Sequence, residues 1–598
     1  MKKIFFIAYL TLLMPFLLMS QTASVVFSHP GGFYENSFNL ELRCNGAYHI
    51  RYTTNGGSPT AHSTLYEQPL FLDESLYSKS RIHTIVDCIP SAFYETDDVM
   101  HSIVIRAALF DDNDSCVGDV KTNSYFIRSL GCDIQKMPVV SIVTDSLSLF
   151  DYNTGIFVPG VHYDTVDPRH TGNYYQRGDE WERKINFEFY EQSNFGINQQ
   201  CGLRTHGNAS RWFQQKGMKL YAREEYGKKR FKYPFFENPS LCDFKHLCLH
   251  PFRCSVWLET GAQEFIAHRV ASNLNVDAMA VREVSVFING EYWGIYTLEE
   301  SPDERYLEDH YDVDLEQVNV IKYFCVQEYG DYKDWMRFFD WIQHSDLSLP
   351  EDSAVAFSRI DVPSFIDYMV FETFSANIDW PFNNVRIWQP ATGEQFRFLF
   401  FDGDGCFIRL PFAALENATN SGDNSYVLNH FLQNESFKIA FKNRYAELKS
   451  SFFRYDFMKN YLDEYRRITK NDIPKQSQRF GFPKSVSKWE YDMGTVDSFL
   501  KNRYSNYEDE LEDFLSVEEN LVLNYCYPNP SSGAFVISFY SNTNETAPVR
   551  IYDCLGRLVW LDYNKIEPGN NLIKFNVDLE PGLYIVKLGK STKRIIIK

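Results

Sequence analysis

The chain has 598 residues, and at roughly 100–200 residues per domain this length predicts about three to five folded units, which excludes a single small binding module. Hydrophobic residues make up 44% and charged residues 23%, so a long disordered or collagen-like chain is excluded as well. The 59 basic and 79 acidic residues give a net charge of -20, which argues against nucleic-acid and anionic-membrane partners because both need a positive field. A nucleotide is not excluded, since a few local lysines and a metal ion suffice to hold it.

The first 21 residues are predicted to be a signal peptide. Met1-Lys2-Lys3 gives a short positive start, residues 4–19 form an apolar run, and cleavage is expected near Ser20 and Gln21. The run is shorter than the ~20 residues of a spanning helix, so an uncleaved N-terminal anchor is the less favoured alternative. No other run of this apolar length occurs, which predicts a mature chain without a transmembrane helix. The twelve cysteines include no Cys-x-x-Cys pair, which argues against a zinc ribbon, and the sequence leaves their pairing open.

Residues 24–130 are predicted to form a β-sandwich. Short segments such as 49–53 and 102–108 alternate at period two between turn residues. The string at residues 52–60 (YTTNGGSPT), followed by Ser63, Tyr66 and Pro69, resembles the C-terminal β-sandwich module of chitobiase and β-hexosaminidase. This resemblance implies either contact with glycan or a structural spacer.

Residues 524–598 are predicted to form a second β-sandwich, because alternating segments are separated by hairpin turn residues. Its blocks are YPNPSSG at 527–533, VRIYDCLGRLV at 549–559, LEPGLYIVK at 579–587 and KRIIIK at 593–598. These blocks resemble the C-terminal sorting domain of the type IX secretion system of Bacteroidetes. The resemblance implies type IX machinery as a partner, passage through the periplasm, and a final place outside the cell or attached to the outer-membrane surface.

Residues 137–515 carry mixed signals and are predicted to be one α+β unit with two lobes and a cleft. Strand patterns at 138–143, 181–190 and 216–222 come first. Helix patterns follow at 265–274, 362–374, 440–452 and 496–514. The predicted fold class is therefore multidomain α+β, with this unit between two β-sandwiches.

Two polar blocks in the second half of this unit suit metal chemistry. Residues 375–384 (SANIDWPFNN) form a loop after a helix and carry Asp379, Asn383 and Asn384. Residues 398–405 (FLFFDGDG) form an apolar strand that ends with Asp402 and Asp404. Carboxylate and carboxamide oxygens are hard ligands suited to Mg²⁺ or Ca²⁺. Read alone, the Asp-Gly-Asp-Gly turn favours a solvated surface turn over a metal site.

The order of these blocks is similar to the catalytic-loop Asp and Asn and the metal-binding Asp of protein kinases. More closely, the middle of the chain resembles the CotH family of atypical kinases over nearly 400 residues. The matching strings are GLRTHGNASR at 202–211, KGMKLYAREEYG at 216–227, VFINGEYWGIY at 286–296 with Glu300, NIDWP at 377–381 and FDGD at 401–404.

The resemblance implies ATP with Mg²⁺, or Mn²⁺ in its place, and assigns roles to the acidic residues. Asp379 would orient or deprotonate the hydroxyl of a protein acceptor. Asp402, Asn384 and Asp404 would hold the metal, with Asn383 as the alternative to Asn384. Phosphoryl transfer is mostly positioning and charge neutralisation, so these groups and one cation suffice.

The resemblance also assigns the nucleotide-binding side. Lys216 would pair with the phosphates and serve catalysis, with Lys219 and Lys228 as alternatives. The turn at 205–211 would cover the triphosphate through Asn208, Ser210 and Arg211, and Glu300 belongs to the same set. Glu264 is either the helix carboxylate that pairs with Lys216 or a solvated surface group, and His206 and His268 are predicted to be structural.

Two departures from the family pattern keep a second function open. Gln263 stands where the family resemblance leads us to expect an arginine, and Cys406-Phe407-Ile408 follows Asp404 in place of Phe-Gly. The first hypothesis is a secreted or surface-attached atypical kinase that transfers phosphoryl groups from Mg-ATP to protein hydroxyls. The alternative is a catalytically weak or inactive kinase fold that acts as a cell-surface binding or adhesion protein.

Overall fold

The computed structural model describes residues 23–77, 99–132, 136–191, 194–252, 258–311, 313–410, 412–516, 522–541, 544–554, 556–589 and 591–598. Helix accounts for 31% and strand for 32% of the chain, so the fold is mixed, with β-rich ends around a middle that holds the helices. The predicted signal peptide lies outside the described residues. Within those residues no helix combines the length and apolar character needed to cross a membrane, and no disulfide joins two of the ten described cysteines to each other.

The N-terminal unit is built from short strands around one small core. A five-stranded sheet runs in the order β2-β9-β8-β5-β6, and its central strand β8 is buried along its whole length. Alternate β8 residues, Ile103, Ile105, Ala107 and Leu109, face the core of this unit. The strands are β1 Val26–Phe27, β2 Gly32–Tyr34, β3 Asn39–Leu40, β4 Leu42–Arg43, β5 His49–Thr53, β6 Thr64–Leu65, β7 Leu70–Phe71, β8 Ile103–Phe110 and β9 Cys116–Ile127.

A closed seven-stranded barrel follows, in the order β10-β11-β12-β13-β16-β19-β18. Its interior is filled by aliphatic and aromatic side chains such as Phe187, Leu220 and Leu298, which is the core that alternating strands of a closed sheet produce. The elements of this part are β10 Val139–Val143, α1 Ser146–Phe150, β11 Arg183–Glu191, β12 Asn194–Thr205, β13 Met218–Tyr221, β14 Phe231–Lys232, β15 Asp243–Phe244, β16 His246–Pro251, α2 Ala262–Ala271, β17 Asp277–Ala278, β18 Val281–Ile288, β19 Glu291–Glu300 and α3 Glu304–His310.

The N-terminal unit is fixed to the barrel by backbone and side-chain hydrogen bonds. The backbone N–H of Ser102 donates to the carbonyl of Gly290 at 2.7 Å. The hydroxyl of Ser124 on β9 donates to the carboxyl group of Glu188 on β11 at 2.5 Å and lies 2.8 Å from the hydroxyl of Ser141 on β10. Because of these buried contacts, the N-terminal unit packs directly against the barrel and is not joined to it by a linker alone.

The second half of the middle region is mainly helical and surrounds the largest core. It also contains a five-stranded sheet in the order β17-β23-β22-β20-β21. Helix α6 begins as predicted: Asp361 accepts the N–H of Ser364 and Pro363 lies in the first turn, and Ala376 ends the helix in the left-handed region. The elements are β20 Asn319–Lys322, β21 Val326–Tyr329, α4 Lys333–Ile342, α5 Pro350–Arg359, α6 Val362–Ser375, β22 Arg386–Gln389, β23 Arg397–Phe400, α7 Ala414–Thr419, α8 Tyr426–Phe431, α9 Glu435–Lys449, α10 Tyr455–Thr469, α11 Ile473–Phe480 and α12 Val486–Ser516.

The C-terminal unit has a three-stranded sheet in the order β24-β25-β28 and a four-stranded sheet in the order β27-β26-β29-β30. Side chains from both sheets share one core, to which β25 contributes Phe535 and Phe539 and β26 contributes Val549 and Ile551. The strands are β24 Val522–Tyr527, β25 Ala534–Ser541, β26 Glu545–Asp553, β27 Leu558–Ile566, β28 Gly569–Asn576, β29 Gly582–Leu588 and β30 Ser591–Ile597.

Candidate active site

Asp402 and Asp404 lie in a tight turn at the end of β23. Asp402 has φ 61° and ψ 68°, the left-handed region that non-glycine residues rarely occupy, and residues 403–405 form one short turn after it. Burial, together with the nearby carboxylates of Glu264 and Asp379, raises the pKa of Asp402 to about 6 against the opposing charge of His250. Burial and the Asp402 carboxylate likewise raise the pKa of Asp404 well above its usual range. Negative charge is therefore crowded at this turn.

The loop after α6 is bonded to that turn. The N–H of Ile378 donates to the carbonyl of Gly405 at 3.1 Å, and the N–H of Phe407 donates to the carbonyl of Ser375 at 2.8 Å. Asp379, which is exposed, is close enough for its charge to raise the pKa of both Asp402 and Asp404. The structure thus brings the three aspartates of the sequence prediction to one place.

Asn384 is buried near the end of the same loop. Its exposed fraction is 4%, its φ is 56°, and its side-chain nitrogen has no hydrogen-bond partner among the described residues. A buried amide without a partner costs free energy unless a ligand meets it. That nitrogen is a donor and would meet an acceptor such as a phosphate oxygen, whereas a metal ion would bind the side-chain oxygen of the same amide.

A second group of carboxylates lies on the barrel side of this turn. Glu264 on α2 and Glu299 on β19 are both buried, with exposed fractions of 3% and 9%. Burial raises the pKa of Glu299 well above its usual range, and Glu264 and Asp402 add to that rise. Burial would also raise the pKa of Glu264, but His268 and His250 outweigh it and lower that pKa. Glu264 therefore faces histidines, and the sequence proposal that it pairs with Lys216 finds no support in these contacts.

Basic side chains form a second group of charges, which includes Lys219 on β13. Lys219 on β13 lies 2.5 Å from the carboxylate of Asp303, which also meets His246 at 2.8 Å. Burial lowers the pKa of Lys219, but Asp303 more than compensates, so the amine stays charged. Burial, followed by the charges of Lys219 and Arg211, lowers the pKa of His206 well below its usual range. The imidazole of His206 is therefore neutral, with the cations Lys219 and Arg211 nearby.

Arg386 connects this basic group with the acidic turn. Its guanidinium forms a paired contact with Glu328, at 2.6 and 2.7 Å, and lies 4.4 Å from the centre of the Phe401 ring, next to Asp402. Burial and the Arg386 charge lower the pKa of Lys322, while Asp402 acts in the opposite direction. Acidic and basic groups therefore meet around Asp402.

Lys216 has a different setting from the one implied by resemblance. It precedes β13, is 1% exposed, and its Nζ donates to the carbonyls of Arg211 and Phe213 at 3.1 and 3.0 Å, with the Tyr174 ring 4.2 Å away. These contacts hold the turn that precedes the strand. Lys219, the alternative left open by the sequence, is the lysine on the barrel strand that meets a carboxylate.

The remaining predicted nucleotide contacts stabilise the same turn or a nearby helix. Arg211 donates to the carbonyl of Gly207 at 2.7 Å, and Ser210 donates to the carbonyl of His206 at 3.0 Å. The carbonyl of Asn208 accepts the hydroxyl of Tyr175 at 2.8 Å. Glu300 lies 2.7 Å from His310 and accepts the N–H of Ala280 at 2.8 Å. Their roles toward a nucleotide stay predictions.

Sequence reasoning missed His250, Glu299, Glu372 and Arg386. Glu299 and Glu300 at the end of β19 offered a signal for Glu299, because two adjacent carboxylates at the end of a strand seldom belong to a hydrophobic core. Arg386 and His250 offered none, since their importance comes from strands that are distant in sequence.

The barrel and the helical unit place a group of carboxylates near basic side chains. The family described as "CotH kinase protein" matches residues 203–507, and the chain belongs to this family. The "Secretion system C-terminal sorting domain" matches residues 525–598 and supports export to the cell surface or outside the cell. The "Chitobiase/beta-hexosaminidase C-terminal domain" matches residues 29–80. The resemblances stated from the sequence are confirmed by these matches, whereas the finer domain boundaries stay predictions.

No curated protein matches the chain. Among solved structures, the chain is similar to the crystal structure of the Helicobacter pylori proinflammatory kinase CtkA, at 10% identity and a TM-score of 0.23. That similarity covers 46% of this chain and 92% of the CtkA chain.

Proposed function

We propose that the protein is an exported atypical kinase that transfers a phosphoryl group from Mg-ATP to hydroxyl groups of protein acceptors. The observation that carries this proposal is the meeting of Asp379, Asp402 and Asp404, in two loops joined by backbone hydrogen bonds. Family membership supports a kinase-like protein, and the acidic loops supply the groups that the chemistry needs.

In this proposal each side of the cleft has its own task. Asp379, which is exposed, would accept the proton of the acceptor hydroxyl. Asp402, Asp404 and Asn384 would hold Mg²⁺, which when bound neutralises charge on the phosphates. Lys219 would donate to phosphate oxygens. The turn around Arg211 would shape the wall over the nucleotide, with Lys216 holding the turn from within.

We also propose a two-lobed middle unit, passage through the periplasm by way of an N-terminal signal, and display at the outer surface by the type IX machinery. The match at residues 525–598 supports the export step. The N-terminal unit would serve mainly as a support for the barrel, because its contacts with β10 and β11 are buried; glycan contact remains a separate proposal.

A second candidate function is a kinase-fold binding or adhesion protein without transfer activity. Two observations favour it. Gln263 replaces the arginine expected from the family and its side-chain nitrogen is buried without a hydrogen-bond partner among the described residues. The amine of Lys216 donates to carbonyls. This candidate predicts partner binding that is unchanged by loss of Asp379.

Radiolabelled ATP with Mg²⁺ or Mn²⁺ tests the proposal on the full mature chain. We expect label on the protein itself or on Ser-rich and acidic acceptors, and a fall of at least about 100-fold for Asp379→Asn and Asp402→Asn. The matched control is Asp340→Asn on the exposed side of α4, where the same charge is lost away from the cleft. Equal labelling by wild type and Asp402→Asn, or none by either, would reject the kinase and leave the binding protein.

A further inference from the structure

Three side chains of metal-ligand type meet on the barrel side of the cleft. His250 on β16, Glu264 on α2 and Glu299 on β19 place ligand atoms within 4.8 Å of one another. Nδ1 of His250 lies 3.9 Å from Oε1 of Glu264. None of the three belongs to the proposed Mg²⁺ ligands Asp402, Asp404 and Asn384, although the charges of Asp402 and Asp404 reach Glu299.

Strand pairing explains why two of them face the same way. In the antiparallel pair of β16 and β19, Cys248 is opposite Glu299 and His250 is opposite Thr297. His250 and Glu299 are therefore diagonal neighbours on one face of the sheet. The barrel core takes the alternate residues Leu249 and Leu298, so this face points outward, toward α2. The first turn of α2 then brings Glu264 to it.

The group has unmet binding capacity. Glu264 is 3% exposed, and neither of its carboxylate oxygens has a partner with good hydrogen-bond geometry among the described residues; its neighbouring donors are Nε2 of His268, 2.8 Å from Oε1, and the backbone of Gly403. Nδ1 of His250 also has no such partner. Burying an ionised carboxylate is costly unless a cation or donor compensates it. A positive ligand between these groups would supply that compensation.

We propose that His250, Glu264 and Glu299 bind one divalent transition-metal ion, Zn²⁺ or Mn²⁺, independently of any nucleotide. One imidazole and two carboxylates form a mixed nitrogen and oxygen set that suits these ions better than Mg²⁺, which prefers oxygen ligands alone. Ligand atoms around such an ion lie about 3–3.5 Å apart, given bond lengths near 2.1 Å. The His250–Glu264 separation of 3.9 Å and the 4.8 Å limit for the three ligand atoms both require these side chains to move closer together around the ion.

The neighbouring groups match what such a site requires. His268 lies one helical turn after Glu264 and would orient its carboxylate, as the residues around metal ligands commonly do. The ion would join α2 to two barrel strands. Because α2 packs against Gly403, where a Cβ would lie 2.6 Å from Ala267, the ion would also fix the turn that carries Asp402 and Asp404.

The test uses the full chain after removal of metal by a chelator and contains no nucleotide. Zn²⁺, Mn²⁺ and Mg²⁺ are titrated separately by calorimetry, and bound metal is counted by mass spectrometry after dialysis. We expect one equivalent of Zn²⁺ or Mn²⁺ and weaker binding of Mg²⁺. The tighter of the first two ions identifies the native one. His250→Gln and Glu299→Gln should each weaken binding at least about 10-fold.

Two controls separate this site from its surroundings and from the kinase proposal. Glu283→Gln makes the same change at a buried neighbour, hydrogen-bonded to Thr297 at 2.9 Å, and should keep the metal. Asp402→Asn should keep it too, whether or not the protein transfers phosphate. Binding unchanged by His250→Gln and Glu299→Gln, or lost in Asp402→Asn alone, would overturn the proposal. Circular dichroism of each metal-free variant checks folding.

A measurement on the wild type covers the case in which a variant fails to fold. X-ray absorption of the Zn²⁺-loaded protein reports whether imidazole nitrogen binds the metal. The proposed phosphate-side ligands include no histidine, so imidazole bound to the metal supports this site. Oxygen ligands alone contradict it.

Discussion

The side-chain nitrogen of Asn377 donates a hydrogen bond to the buried carboxyl group of Glu372 at 2.9 Å, where helix α6 gives way to the loop of Asp379. The side-chain oxygen of Asn377 accepts a hydrogen bond from the backbone N–H of Asp379 at 3.2 Å. Burial raises the pKa of Glu372 to about 8 against the effect of this bond, so the group is largely protonated at neutral pH. Asn377 therefore links the helix core to the position of Asp379.

Asn377→Ala should lower phosphoryl transfer about 10-fold or more while leaving the acceptor and nucleotide groups in place. The amide of Asp379 loses its partner, so the carboxylate is no longer held at the turn. Stability should fall by about 1–3 kcal/mol, because Glu372 loses a buried donor. Transfer rates and thermal unfolding measure the two effects. Asn153→Ala, at an exposed asparagine between α1 and β11, is the control and should change neither.

Gly405→Ala should also displace the Asp379 loop. A Cβ at Gly405 would lie 2.4 Å from Oδ1 of Asn377, and Glu372 prevents that amide from turning away. We expect a loss of about 1–3 kcal/mol from overpacking and a marked fall in transfer. Unfolding and transfer assays measure these changes.

Gly494→Ala is the matched control for the glycine change. A Cβ there meets nothing within 4 Å inside α12, so alanine should stabilise the helix by about 1 kcal/mol and leave transfer unchanged. If both glycine variants shift stability in the same direction, the close approach of Gly405 to Asn377 is not what constrains the loop.

Helix starts show what the sequence can predict about this fold. The start of α6 is correct because Asp361 and Pro363 are local signals that act on the adjacent backbone. The sequence pattern places the start of α12 too late, at 496 instead of 486, because Gly494 interrupts the pattern. The buried Trp489 and Met493 compensate through contacts with distant helices, which local propensity does not contain.

In the candidate site, too, some features follow from local sequence and others from tertiary packing. The proximity of Asp379, Asp402 and Asp404 could be expected because each follows an element with a clear local pattern, and their roles stay predictions. It was harder to predict which lysine lies on the strand. Strand β13 begins at Met218, two residues after the predicted start, so Lys216 lies in the preceding turn. Partners such as Asp303 and His246 come from separate elements, so their contact with Lys219 depends on tertiary packing.

Lys219→Met should reduce transfer by about 100-fold or more, whereas Lys216→Met should act mainly on stability. Lys219 is the charged amine on β13, 2.5 Å from Asp303, and in the proposed site its loss removes a cation that would donate to phosphate oxygens. Lys216 holds two carbonyls of a turn, so its loss should lower the melting temperature more than the catalytic rate.

Single-turnover transfer and thermal unfolding of both variants separate these two lysines. Lys228→Met, a change at an exposed lysine of the same region, provides the reference for loss of charge alone. A transfer rate that falls with Lys216→Met but survives Lys219→Met would restore the role that family resemblance gives to Lys216.

The junction between the N-terminal unit and the barrel predicts a pH effect. Glu188 on β11 accepts hydrogen bonds from Ser124 at 2.5 Å, Tyr190 at 2.8 Å and Asn198 at 3.0 Å. Burial nevertheless raises its pKa from 4.5 to about 7. The folded state therefore holds this proton more tightly than the unfolded state does.

Glu188→Gln should remove a loss of stability that the wild type suffers as pH rises. Below pH 4.5 the carboxyl group is protonated in both states, whereas between 4.5 and about 7 the unfolded state alone gives up its proton, so folding weakens by up to about 3 kcal/mol. Melting temperatures of the variant and the wild type should therefore be similar at pH 5, and the variant's should be higher at pH 8. Glu67→Gln, at an exposed position, should follow the wild type. A constant difference between Glu188→Gln and the wild type at both pH values would show that Glu188 is ionised in the folded protein throughout.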